Sequence, residues 1–323
     1  AGFSTHLFHF EHEAEDISTL GFDHCHAMPE PHAHDEMPPP YGHKTAPQVA
    51  EGFAAFCRSG LKKPFYAQIG FFETHNPQDF GGNHGDDSKG VAIPAPYADS
   101  PGNRRFFHML QGLVKQADHG VDIILNALTE NGLEDNTIVV FTVDHGVSFA
   151  RAKQTLYEKG IEVAMIVRWP GGGVQGGRVI DALMSNIDLF PTMLELIGEP
   201  VPDTVEGMSF APALRGAGPP PNRRHHFALI QEGPVSRGVR TDKYKLIRNF
   251  HPHRSFIVPV ENGKRSRKAA PVVELYDLEN DPLETKNLAD DPDHNEICAE
   301  LSKALYEHLK RVSDPILKHP VPV

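Results

Sequence analysis

Apolar positions along the chain fall into two patterns: short unbroken runs, and one long stretch with spacings of three and four. PFYAQIGFF (64–72), NTIVVFTV (136–143) and IEVAMIVRW (161–169) are the short runs, the first bounded by Pro64 and the turn-rich THNPQDFGGNHGD. Density of that kind predicts strands buried on both faces. Between the first two runs, Phe106, Leu110, Leu113, Ala117, Val121, Ile124 and Leu128 line one side of a helix predicted over 103–131. Asn131-Gly132 is a typical helix stop. Strand, long helix, strand predicts a mostly parallel central sheet flanked by helices, an α/β fold. IDLFPTMLELIGEPVP reads as a further helix closed by Gly198 and Pro200.

The rhythm changes after GAGPPPN (216–222). HHFALIQEG, SRGVRTDKYKLIRNF and VVELYDLENDP predict a smaller antiparallel sheet, followed by a helix over 294–312. The expected division is an α/β domain over 1–222 and a small α+β subdomain over 223–323. NGKRSRKAAP (262–271) reads as an exposed hairpin loop, with a polyanion contact as the sharper alternative. PEPHAHDEMPPPYGHKTAP (29–47) is too rich in proline for a regular element. The chain has no internal repeat.

Composition narrows the function classes. A hydrophobic fraction of 39% and a charged fraction of 23% are ordinary for a globular protein. A net charge of −12 argues against a general nucleic-acid binder, while leaving room for a locally positive anion site. No apolar run approaches the roughly 20 residues that span a bilayer. The opening AGFSTHLFHFEHEAED carries charge and histidine and does not read as a signal peptide. Cys25, Cys57 and Cys298 are far apart, with no CxxC pair, so neither a zinc knuckle nor a disulfide framework is suggested. Of 20 histidines, eight lie between His6 and His43. They read either as a polar, partly disordered loop or as lining for a metal or anion site.

In open parallel sheets, ligands gather at the carboxyl ends of strands. Two predicted strands end in chemically loaded residues: Glu73-Thr74-His75-Asn76-Pro77 and Asp144-His145-Gly146, with Lys153 following the second. Asp-His-Gly is also an ordinary turn. An Asp and a His can ligate a divalent cation, while Lys and His can hold and protonate an oxyanion ester, the equipment of a metal-assisted ester hydrolase. Glu73, Arg151, His24, His26, His32 and His34 are candidate pocket lining, with solvated loop positions as the alternative.

The segment NTIVVFTVDHGVSFARAKQTLYEKGIEVAMIVRWP (136–170) resembles the second metal segment of the sulfatases, in the alkaline phosphatase superfamily. SNIDLFPTMLELIGEPVPDTVEGMSFAPAL (185–214), GVRTDKYKLI and ELYDLENDPLETKNLA extend the resemblance over nearly the whole chain, the last phrase in the family's small C-terminal domain. DHGVSFARAKQTLYEKG is most similar to the heparan N-sulfatase (sulfamidase) branch. Carried over by position, the resemblance implies that Asp144 and His145 bind metal and that Lys153 contacts the sulfate. It implies that His75 lies near the leaving-group oxygen and that His12 ends the counterpart of a G-K-x-H motif. Phe10 stands at that motif's lysine position, so one sulfate contact is absent or supplied elsewhere. The family's nucleophile is a formylglycine made within C/S-x-P-x-R, and no such motif occurs here. Ser100-Pro101-Gly102-Asn103-Arg104 has the wrong spacing. The family's paired metal-binding aspartates precede the G-K-x-H region, so the expectation is a sequence lacking its N-terminal part.

The resemblance implies a formylglycine-dependent hydrolase of sulfuric esters or N-sulfates, with a sulfated carbohydrate or small sulfate ester as substrate. The divalent metal expected is calcium, with manganese or zinc compatible with a histidine ligand. The alternatives are a non-catalytic pseudo-sulfatase or fragment that binds sulfated sugars, and a phosphodiesterase or phosphonate hydrolase of the same superfamily. Relatives of this type are periplasmic, secreted or lysosomal. Oligomeric state is not readable from the sequence.

Overall fold

The computed structural model describes residues 2–9, 14, 16–26, 42–61, 64–231, 235–251, 260–261, 264–265 and 271–318. Two compact units are present: residues 1–139 with 168–175, and residues 140–167 with 176–323.

In the first unit, β1 (Ser4–His9), β2 (His24–His26) and β3 (Phe65–Gly70) form a parallel sheet in the order β2-β1-β3. β1 is central, with His6 opposite His24 on one side and Ala67 on the other. Two helices pack on one another, α1 (Ala46–Arg58) and α2 (Pro101–Glu130). Their apolar faces meet the sheet in a core that includes Phe8, Val49, Phe53, Cys57, Ala127 and Leu128. The Ser100 side chain accepts from Asn103 N at the start of α2, and Asn131 caps its end, as the 103–131 periodicity predicts to within two residues.

β1, β2 and α1 depart from the sequence reading. His6 and His9 are buried core positions of β1, not members of a disordered loop. The His6 ring stacks on His24 and His26, with centroids 4.8 and 5.2 Å apart, and lies 4.4 Å from the Phe56 ring. Its Nδ1 meets His26 Nε2 at 3.0 Å and its Nε2 meets Ser4 Oγ at 3.0 Å. Burial, then the neighbouring His24 and His26, push the His6 ring below the usual histidine range, with Asp23 opposing; burial and His24 do the same to His26. The end of the proline-rich stretch is helical, because Pro47 stands in the first turn of α1, where a missing N–H costs nothing. His32, His34 and the rest of 27–41 lie outside the described residues.

Among the described residues, β4 (Val139–Thr142) and β5 (Met165–Arg168) pair only with one another. The second starts four residues later than its apolar run suggests, because α3 (Glu158–Ile161) takes the run's first residue into a helical turn. Both strands are only partly buried: Ile166 is 63% exposed and Phe141 36%, so burial on both faces is not realised among the described residues.

In the second unit, α4 (Leu189–Ile197) ends at Gly198, whose φ of 80° is the left-handed conformation that favours glycine at a helix end. α5 (Ala211–Arg215) follows. β6 (His226–Ile230), β7 (Ser236–Arg240), β8 (Tyr244–Asn249) and a later strand, Val273–Asp277, form an antiparallel sheet as predicted. Between them, β9 (Val260–Glu261) and β10 (Lys264–Arg265) pair antiparallel, which makes Val273–Asp277 β11 in the order β11-β8-β7-β6. The rest of the basic 262–271 stretch, apart from Pro271, lies outside the described residues. α6 (Asn295–Arg311) lays Leu301, Leu305 and Leu309 on this sheet against Val239, Leu246 and Leu275. That spacing of four puts one leucine on the same face each turn. All three cysteines are free thiols, and no helix among the described residues is long and apolar enough to cross a membrane.

Candidate active site

β4 ends at Thr142, and the chain then turns sharply through Asp144, His145 and Gly146. Gly146 is required by crowding. A Cβ there would lie 1.7 Å from the Lys159 carbonyl oxygen, and the Gly146 amide donates to Gly160 O at 3.0 Å. The two ends of the segment 146–160 are thereby clasped.

Asp144 and His145 face each other at the mouth of this loop. The Asp144 side chain is 80% exposed, and its Oδ1 accepts from His145 N at 2.8 Å. His145 Nδ1 lies 2.8 Å from the Gly146 carbonyl oxygen. A carbonyl only accepts, so Nδ1 carries a proton, and in the neutral ring Nε2 presents a lone pair. That nitrogen stands 3.1 Å from Asp144 Oδ2. Two acceptors at this separation are satisfied by a proton on Nε2 or by a cation held by both. The donor set, one carboxylate oxygen and one imidazole with its other nitrogen fixed on a carbonyl, fits a divalent metal. Among the described residues no third His, Cys, Asp or Glu joins them, whereas calcium takes six to eight oxygens.

Lys153 lies midway along the clasped loop, its amide donating to Val147 O at 3.0 Å. Its neighbours Arg151 and Gln154 hold φ angles of 56° and 64°, strained for residues with side chains. Arg151, a candidate for pocket lining, braces the loop: its guanidinium covers the Tyr157 ring at 3.7 Å and donates to the Glu284 carbonyl at 2.5 Å. Ala152 and Leu156 are buried, the latter with Ile247, Tyr276 and Leu278.

Behind the loop is a charged cluster that sequence reasoning missed. Lys245, on β8, is 1% exposed. Its ammonium group donates to Leu156 O at 3.0 Å and Glu284 Oε1 at 2.8 Å, and pairs with Glu158 Oε1 at 2.5 Å, which occupies all three donors. Arg240 meets both oxygens of Glu158. Burial works against ionisation of Glu158, but Arg240 and Lys245 outweigh it and hold the carboxyl below the usual range. At Glu284 burial prevails over Lys245 and pushes the carboxyl up. Tyr157 and Tyr276 both donate to Glu274 Oε2, at 2.7 and 2.6 Å. Burial and the Glu274 charge push both phenols up. The one signal available in the sequence was a lysine inside the otherwise apolar strand YKLI.

His75 follows β3 in the first unit. It is exposed, its Nδ1 is 2.7 Å from Asn76 O, and its ring lies 5.1 Å from that of Phe72. The same carbonyl argument puts the proton on Nδ1 and leaves Nε2 as an acceptor in the neutral ring. Glu73 Oε1 accepts from Ala46 N at 2.8 Å, at the positive end of α1. Its other oxygen is buried without a partner among the described residues, and burial pushes the carboxyl up. His24 and His26 belong to β2. His12 and Phe10 lie outside the described residues.

The sulfatase family model matches residues 1–199, and the C-terminal model of N-sulphoglucosamine sulphohydrolase matches residues 145–258. The chain belongs to the sulfatase family. An ulvan-active sulfatase from Formosa agariphila is 33% identical over 205 residues, which is 58% of this chain and 40% of that protein. A Delta 4,5-hexuronate-2-O-sulfatase from Bacteroides thetaiotaomicron is 26% identical over 95% of this chain and 69% of its own length. The chain thus spans about two fifths of the first of these relatives. Two solved structures share the fold. A 2-O GAG sulfatase has a TM-score of 0.69 at 24% identity, over 100% of this chain and 74% of that one. A phosphonate monoester hydrolase from Silicibacter pomeroyi has 0.68 at 19%, over 98% and 79%. Family members generally bind a divalent metal.

Proposed function

We propose that this chain carries part of the site of a hydrolase of sulfuric esters or sulfamates, acting on a sulfated carbohydrate or a small sulfate ester. Asp144 and His145 hold a divalent metal, calcium before manganese or zinc, which when bound supplies positive charge to the sulfuryl oxygens. Lys153 meets the same oxygens and offsets charge that grows on them in the transition state. His75, whose Nδ1 proton is committed to Asn76 O, delivers a second proton from Nε2 to the departing oxygen or nitrogen, and His12 is a further catalytic residue. The formylglycine nucleophile lies in no C/S-x-P-x-R motif of this sequence. Residues 223–323 serve as a subdomain that braces the loop after β4.

The observation that carries the reading is the Asp144–His145 pair, with Nδ1 fixed on Gly146 O and Nε2 aimed at Oδ2 across 3.1 Å. Substrate class is supported by the ulvan-active and hexuronate-2-O-sulfatase relatives. The shared fold with a phosphonate monoester hydrolase keeps phosphorus esters as the second reading. Calorimetric titration with calcium, manganese and zinc tests the metal pair. Asp144→Ala should weaken binding of the preferred ion by about tenfold or more; equal binding by wild type and variant rejects the assignment.

A further inference from the structure

The loop that bears Lys153 does not hold its shape alone. Arg151 and Gln154 flank Lys153 in left-handed backbone conformations, which persist only where surroundings over-determine them. The surroundings here converge on one residue. Glu284 Oε2 accepts from Glu158 N at 2.6 Å, its Oε1 accepts from Lys245 Nζ at 2.8 Å, and its carbonyl accepts from Arg151 at 2.5 Å. Glu284 thus grips the loop on both sides of Lys153, at 151 and at 158. It is 3% exposed and itself holds a φ of 56°.

We infer that Glu284 is a positioning residue, a latch that works with Lys245 and Glu158 to fix where Lys153 presents its charge to the anionic ester. This rests on the reading of Lys153 as the sulfate contact. Glu284 itself has both carboxylate oxygens committed to Glu158 and Lys245, so it acts only through the loop. The carboxylate matters as well as the shape, since one oxygen must answer a buried ammonium while the other answers an amide.

The test compares the chain with Glu284→Gln, Lys153→Ala and Asp314→Asn. The last breaks the equally buried Arg237–Asp314 pair, which does not touch the loop, and controls for general loss of stability. Two quantities are read: amide exchange across 147–161, and resonance shifts on titrating inorganic sulfate against chloride at constant ionic strength. Glu284→Gln should speed loop exchange about tenfold beyond the change in global stability and weaken sulfate binding several-fold, whereas Asp314→Asn should do neither. Lys245→Gln, which takes the ammonium from Glu284 Oε1 and leaves the Glu158 amide bond, should loosen the loop in the same direction and serves if Glu284→Gln does not fold. Unchanged loop exchange in Glu284→Gln, with sulfate binding lost in Lys153→Ala, overturns the latch alone. A loosened loop with sulfate binding unchanged in both Glu284→Gln and Lys153→Ala rejects the Lys153 reading and its positioning with it.

Discussion

Two parts of the molecule pack ionisable side chains in opposite ways. Behind the 146–160 loop, Lys245, Glu158, Glu284 and Arg240 are opposite charges in contact, with every ammonium donor used. On the sheet of the first unit, His6, His24 and His26 are like groups stacked face to face, and Asp23 spends one oxygen on Thr5 N. Oppositely charged groups taken out of water fix one geometry, because any displacement strands a charge. Stacked histidines pack as neutral rings that share hydrogen bonds, and an added proton sets like charges against one another. One region sets a position, and the other sets a sensitivity to acid.

The sharpest way to break this contrast is to remove the central cation. Lys245→Met leaves Glu158 and Glu284 buried against each other and should cost about 3–5 kcal/mol in chemical denaturation. A cost below about 1 kcal/mol means the cluster is dispensable packing. Gly146→Ala comes next, on the order of 2–3 kcal/mol, since its Cβ must displace the Lys159 carbonyl and open the clasp. Both belong to the paired region, and neither effect should depend on pH near neutrality.

The smallest effect belongs to the histidines. In the unfolded chain they take up protons near the ordinary histidine value of 6.5, while in the sheet His6 and His26 are held lower. The unfolded state therefore binds more protons as pH falls below that value, and stability declines with acidification. The melting temperature should drop between about pH 7.5 and about pH 5.5. In His24→Asn, which removes a like-charged neighbour of both rings, that drop should shrink. An identical drop in the two proteins assigns the acid response elsewhere.

Much of this was legible along the chain, and the gaps have physical causes. The 103–131 helix and the C-terminal sheet follow from periodicity, because their buried positions are filled by apolar residues. β1 escaped because two of its core positions are His6 and His9, so a buried strand has the polarity of a loop. α1 escaped because Pro47 reads as a breaker unless the helix starts on it, although Val49, Phe53 and Cys57 already mark one face. Asp144 and His145 stand out by ending an apolar run. What holds Lys153 could not be read, since Glu158 and Glu284 lie 126 residues apart and no residue type announces the turns at Arg151 and Gln154.

The pair of tyrosines on Glu274 gives the molecule a built-in optical signal. Of seven tyrosines in the chain, Tyr157 and Tyr276 send their hydroxyls to one and the same carboxylate oxygen. Burial, with that charged oxygen beside them, holds both phenols protonated above the ordinary tyrosine range. Alkaline absorbance titration of the folded chain therefore stalls short of the full count. The missing phenolates report on the burial of the pair: they arrive when the packing around Tyr157, Tyr276 and Glu274 opens to water.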